Sequence, residues 1–159
     1  MRIEQDNILR EDLTIQHRYA VIGSEKAFRG HQHAWKAWKV FKEFGCTVYP
    51  VAAKMKQRLG PDKVYADLTE LQGKIDVAAP CLPAAELADL VPAAQAAGCT
   101  HIWFQEDSWS PELQAQCEEA GIKAVRGCVL LHKVFVKPLA FFHPCYWHGW
   151  RERKIKRMR

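Results

Sequence analysis

Five short apolar runs, each handing over to a polar turn or an amphipathic stretch, constrain this chain more than any other feature. They read RYAVIG (18–23), CTVYPVAA (46–53), IDVAAPC (75–81), THIWFQ (100–105) and IKAV (122–125). None shows the strict polar alternation of a strand with one face in water. Strands built from such runs have both faces covered, which is the condition of a parallel sheet sandwiched between helices.

The segments between the runs carry the complementary signal. After the first, Ala34, Ala37, Trp38, Phe41 and Phe44 fall on one helical face, Lys36, Lys39 and Glu43 on the other, and Gly45 stands where a helix ends. SPELQAQCEEAG (110–121) places Ser110 as N-cap, Pro111 at the first helical position, Leu113, Cys117 and Ala120 on one stripe, and Gly121 at the end. AAELADLVPAAQAAG (84–98) is helical in composition, with Pro92 starting a second helical segment or kinking the first. KVYADLTEL (63–71) reads as a strand-edge turn and one helical turn. The first sixteen residues give a helical spacing through Ile3, Ile8, Leu9 and Leu13.

Strands alternating with helices of ten to fifteen residues predict right-handed crossovers and an α/β, Rossmann-like three-layer sandwich. The expected sheet has five strands, mainly parallel, with helices on both faces, followed by an aromatic and basic C-terminal extension. We divide the chain into residues 1–130, a Rossmann-like domain whose residues 1–16 form a helical lead-in, and residues 131–159, an extension ending in the basic tail. At 159 residues one hydrophobic core is expected.

Composition narrows the setting. The N-terminal stretch has no apolar core of signal-peptide type, and every apolar neighbourhood is broken well short of the ~20 residues of a membrane span. The six cysteines never approach Cys-x-x-Cys spacing, which suits reduced, buried thiols in a cytoplasmic protein. The formal net charge of +5 resides entirely in the last nine residues, RERKIKRMR, leaving a neutral body. Nucleic acid is therefore expected, if anywhere, only through residues 147–159, where Trp147 and Trp150 border the basic tail.

In a sheet of this kind ligands bind beyond the carboxyl ends of the strands, where strand order reverses. The turn after the first strand, GSEKAFRG (23–30), lies there. Gly23 permits close backbone approach, Ser24 brings a hydroxyl, and Lys26 and Arg29 bring charge suited to a phosphate. The dinucleotide fingerprint Gly-x-Gly-x-x-Gly is absent, and the second strand ends in YPVAAK rather than in a ribose-binding acid, which argues against NAD.

YAVIGS, GCTVYPVAAK, KVYADLTELQGKIDVA, HIWFQ and EEAGIKAVRGC resemble, in order and spacing, the small stand-alone CoA-binding domain proteins, which share the fold of the N-terminal domain of the succinyl-CoA synthetase alpha subunit. The resemblance covers about residues 15–130. It implies coenzyme A or an acyl-CoA as ligand, with Gly23, Ser24, Lys26 and Arg29 at the pyrophosphate and Val51, Ala52 and Lys54 at the adenosine with its 3′-phosphate. Pro80 and Cys81 would form the other wall. Gln105 matches the glutamine ending the family's fourth strand, and Cys128 its late cysteine. Where the family reads Gly-Ala-Ser this chain has Gly23-Ser24-Glu25, and Ala52-Ala53-Lys54 replaces Asn-Pro-Lys.

The expected function is thus non-catalytic binding of coenzyme A. Two alternatives stay open. One is a nucleotide-dependent enzyme of the same fold using Glu106, Asp107 or Cys128. The other is an interaction protein using the C-terminal tail. No metal is expected: His31 and His33 lack a third ligand nearby, and His143, Cys145 and His148 sit among aromatics that suit packing. The apolar stretch VLLHKVFVKPLAFF (129–142) suits a homodimer.

Overall fold

A computed structural model describes residues 8–10 and 13–132 of the protein. Its centre is a five-stranded, wholly parallel sheet made of β3 (Arg18–Ile22), β4 (Thr47–Val51), β5 (Val77–Pro80), β6 (His101–Phe104) and β7 (Lys123–Arg126), in the order β4-β3-β5-β6-β7. The chain begins at β3, steps to β4 on one side, then crosses back to β5 on the other and continues outward. Strand order therefore reverses between β3 and β5, and a crevice opens at their carboxyl ends.

The expected three layers are present. On one face lie α1 (Glu25–Arg29) and α2 (His33–Phe44), with a 3-10 turn at Val129–His132. The other face carries α3 (Leu90–Ala97) and α4 (Pro111–Ala120), with a 3-10 turn at Leu68–Leu71 packed on α3. Alternate residues of β3 serve the two layers: Tyr19 and Val21 belong to the first core, Ala20 to the second. In the first core the Tyr19 ring stacks on Phe41 at 4.4 Å between centroids, and Phe41 meets Trp103 edge-on at 5.7 Å. In the second, Ala78, Ile102 and Phe104 of the sheet pack against Val91, Ala94 and Cys117.

Local chemistry sets the helix ends. Ser110 Oγ accepts the Leu113 amide at 3.2 Å, Pro111 opens α4, and Gly121 closes it. Gly45 ends α2 at φ 96°, where a side chain would be strained. Pro92 sits in the first turn of α3, where its missing N–H has no helical partner to lose; a separate 3-10 turn at Ala84–Glu86 precedes it.

Two expectations are corrected. Residues 1–16 were read as a helical lead-in, yet β1 (Ile8–Arg10) and β2 (Leu13–Thr14) form a small antiparallel pair. A turn follows in which His17 N donates to the Thr14 carbonyl (3.3 Å) and Thr14 N to His17 Nδ1 (3.1 Å). These local bonds, with Leu13 fully buried against the first core, outweigh a helical spacing carried by isolated apolar residues. The second correction is that the stretch before α2 is a five-residue helix rather than an irregular turn. Ser24 caps α1 through Ala27 N (3.1 Å), Gly30 ends it, and His31 at φ 52° redirects the chain into α2. The expectations for residues 1–7 and for the extension from 133 onward, including His143, Cys145, Trp147, His148 and Trp150, lie outside the described residues.

Candidate functional site

The crevice at the β3/β5 reversal is a cleft of about 720 Å³. Its floor is the carboxyl ends of two strands: Ile22 and Gly23 after β3, Val51 and Ala52 after β4. One wall is Ser24, Glu25 and Lys26 of the α1 entrance with Lys54 beyond β4; the other is the segment from Leu82 to Leu90 leading into α3. Asp67 and Leu68 close the end near β4.

Much of this frame is held by backbone hydrogen bonds. Gly23 N donates to Val51 O (3.0 Å) and Cys81 N to Ile22 O (2.7 Å), which stitches the three strand ends together. Ala52 N donates to Tyr65 O (2.9 Å), and Tyr65 N to Pro50 O (3.0 Å), tying the 62–66 segment alongside β4. The Ser24 hydroxyl is occupied by its cap bond and the Phe28 amide by Ser24 O. The amides of Ser24, Glu25 and Lys26 make no hydrogen bond among the described residues.

Gly23, which lines the cleft, also has a packing use. A Cβ at this position would lie 2.4 Å from Ala34 Cβ and 3.1 Å from the Phe28 ring. The glycine lets α2 seat on the sheet, so the close approach it permits is that of the helix.

Charge in the cleft is mixed. Lys26 and Lys54 are exposed cations on one side. Glu25, the residue that departs from the family pattern, is paired with Arg29 (Oε1 to Nη1, 3.1 Å), one helical turn away. Arg29, exposed and in that ion pair, does not line the cleft. Glu86 and Asp89 belong to the wall leading into α3, and Asp67 to the end near β4. Asp67 accepts from the Thr69 amide (2.8 Å) and the Thr69 hydroxyl, and these bonds hold its carboxyl below the usual range. Sequence reasoning missed these three acids as cleft residues, although the Asp67–Glu70 spacing, with Glu70 Oε1 accepting Ala66 N at 2.9 Å, is a capping-box signal.

The remaining predicted residues are displaced from the cleft. Pro80 is the buried last residue of β5, and its carbonyl accepts from the Ser108 hydroxyl (2.9 Å). Cys81 and Gln105 line a second, smaller chamber of about 150 Å³ with His33, Leu82, Pro83, Asp107 and Ser108; Leu82 is a wall common to both spaces. Gln105 is 3% exposed. Its Oε1 accepts the Val129 amide (2.9 Å), which fixes the carboxamide orientation, so His33 Nε2, 3.1 Å from the same oxygen, is the protonated donor. Gln105 Nε2 donates to the Trp103 carbonyl at 3.4 Å. Ser108, buried and unforeseen, also donates to Leu82 O (2.7 Å), locking the loop after β6 to the loop after β5.

His31 and His33, considered together in the sequence, are separated by the chain reversal. His31 is exposed with its ring on Trp35 (4.2 Å), whereas His33 is half-buried at the chamber. Among the described residues no group of three or more His, Cys, Asp or Glu converges on a metal position. Burial pushes the Cys46 and Cys117 thiols up to about 11 and Cys99 to about 12, and raises Cys81 further still, with Cys128 nearby adding to it. Among the described residues, no helix is long and apolar enough to cross a membrane.

A family model for the CoA binding domain matches residues 17–133, the segment holding all five strands and both spaces. The chain belongs to the CoA-binding domain family. Solved structures share the fold. A PH1109 protein redesigned for binding shares 25% identity at a TM-score of 0.67, over 83% of this chain and 89% of that one. A hypothetical protein from Pyrococcus horikoshii OT3 shares 25% at 0.66, over 74% and 81%. The dinucleotide-forming acetyl-coenzyme A synthetase 1 of Ca. Korarchaeum cryptofilum shares the fold at 18% identity and a TM-score of 0.57, this chain covering 25% of the enzyme. No curated protein matches the sequence of this CoA-binding domain protein.

Proposed function

We propose that this protein binds coenzyme A, free or acylated, in the cleft at the carboxyl edge of its sheet, and holds it without reacting with it. The observation carrying this reading is that the family match spans the strands whose ends form a cleft of about 720 Å³, within the range of sites for cofactor-sized ligands.

In this reading the pyrophosphate lies against Ser24, Glu25 and Lys26, whose three unbonded amides supply donors, with Lys26 as the counter-charge. Gly23, Val51 and Ala52 form the apolar floor under the adenosine, and Lys54 meets its 3′-phosphate. Glu86 and Asp89 stand on the wall leading into α3, where acceptors suit the donor groups of a ribose or an adenine and would repel a phosphate. That asymmetry gives the ligand one orientation. Arg29 acts indirectly, by neutralising Glu25 beside the phosphates. The thiols raised by burial stay protonated at neutral pH and are poor nucleophiles, which supports a holding role.

The test is thermal unfolding with coenzyme A and with dephospho-CoA. A larger upward shift in Tm is expected with coenzyme A, and Lys54→Ala is expected to abolish the difference. Equal shifts in the wild type would remove Lys54 from the 3′-phosphate; no shift with either ligand would overturn the reading.

A further inference from the structure

The small chamber behind Leu82 has no part in holding a nucleotide, yet it adjoins the cleft and is built from polar groups. Its volume of about 150 Å³ is that of a cavity able to take roughly six non-hydrogen atoms, the size of benzene. The hydrogen-bonding state of its lining is determined by the contacts around it. Gln105 Oε1 is filled by the Val129 amide and His33 Nε2, and one N–H of its carboxamide goes to Trp103 O. The second N–H makes no bond among the described residues, although the side chain is buried. His33 donates through Nε2, and its Nδ1 has no partner among the described residues. Ser108 spends its proton on the Pro80 and Leu82 carbonyls. Asp107 adds a carboxylate at the exposed side.

The chamber therefore offers one buried donor and several acceptors, in a space whose volume matches a short acyl group rather than a long alkyl chain. A carboxyl group would meet Asp107, and a plain alkyl group would leave the Gln105 N–H and His33 Nδ1 unsatisfied. From this we infer that the chamber holds the acyl end of the ligand and selects a short, uncharged, hydroxyl-bearing acyl thioester, the hydroxyl pairing with His33 Nδ1, which it can do as donor or acceptor, and the Gln105 N–H meeting an acyl oxygen. The inference rests on the coenzyme A reading above and adds the acyl class to it.

Isothermal titration with coenzyme A and its butyryl, 3-hydroxybutyryl, succinyl and decanoyl thioesters tests it. The hydroxylated thioester is expected to bind about three- to tenfold more tightly than butyryl-CoA, the worth of one buried hydrogen bond, with the succinyl and decanoyl forms weaker than both. In His33→Leu the ratio of hydroxybutyryl to butyryl affinity is expected to fall to about one. A ratio needs no correction for any general loss of binding, and the wild-type series stands if the variant fails to fold. Wild type that binds coenzyme A but takes the four thioesters alike would overturn the chamber assignment alone. A chain that binds neither coenzyme A nor any thioester would overturn both readings. An unchanged ratio in a folded His33→Leu would remove His33 as the selecting group.

Discussion

Gly23 shows how one residue type can serve two demands that only coordinates separate. A glycine between a strand and a helix fits a phosphate approach, and it equally fits a helix packed hard against a strand end. The 2.4 Å between an added Cβ and Ala34 Cβ shows the second at work, since real side chains do not approach so closely and neither carbon can rotate away. Gly23→Ala is therefore expected to destabilise the protein by about 1–3 kcal/mol, the usual cost of overpacking, seen as a lower urea midpoint without ligand. Adding Ala34→Gly should recover much of that loss while costing about 0.5–1 kcal/mol for a helical glycine. A cycle in which the two changes simply add would show that they do not meet. Glu25 and Arg29 give the same lesson from the other direction: the sequence marked Arg29 as a turn residue near a phosphate, but four residues on a helix brings it to Glu25, with which it forms an exposed ion pair.

Among the elements, those whose start, stripe and stop are all written locally were legible. The clearest is α4, with Ser110, Pro111, the Leu113 and Cys117 stripe and Gly121 each in its expected place. The five apolar runs became the five strands, the first four trimmed by one to three residues and the last shifted by one. What escaped was short or settled by distant partners: α1 buries only Ala27 and Phe28, too little for a helical period to register, and β1–β2 depends on Leu13 reaching the core. The clasp between β3 and the loop before β5 was invisible for the same reason. Arg18 meets Asp76 through Nε and Nη2, both at 2.9 Å, and its backbone amide donates to the same carboxylate at 2.8 Å, across 58 residues. The Arg18 side-chain bonds hold the Asp76 carboxyl below its ordinary range despite partial burial. The folded state thus binds this proton less readily than the unfolded one. Its stabilising contribution is complete above the ordinary carboxylate range and disappears as pH falls through the lowered folded value. Both side chains are partly exposed, so the effect is modest and screened by salt. Unfolding measured from neutral pH to about pH 2 should show Asp76→Asn less stable at neutral pH, with the gap to wild type closing in acid. A gap that stays constant would remove the clasp as a source of pH dependence.

At the scale of the whole molecule, the strand order β4-β3-β5-β6-β7 divides the protein into two ends with different work. The amino edge carries the Arg18–Asp76 clasp; the carboxyl edge carries the cleft, the chamber and the unbonded amides of residues 24–26. The parallel sheet was legible from alternation alone, and with it the edge at which a ligand site belongs. The division of that edge into a large cleft and a small chamber was not, because Leu82 and Ser108 create it through contacts between loops far apart in sequence. A ligand that stabilises only the native state raises stability by an amount set by its concentration over its Kd, about 2.7 kcal/mol at a hundredfold excess. That increase has a distribution as well as a size. Segments that open locally, at less cost than global unfolding, gain protection only when the ligand contacts them directly, whereas amides exchanging through global unfolding slow together. Hydrogen exchange with saturating coenzyme A should therefore protect residues 23–26, 52–54 and 82–89 beyond any uniform slowing of the core, and leave the turn at 14–17 and the segment 73–76 without extra protection. Local protection at the amino edge with none at the carboxyl edge would place the ligand on the wrong side of the sheet for every site assignment made from the strand order.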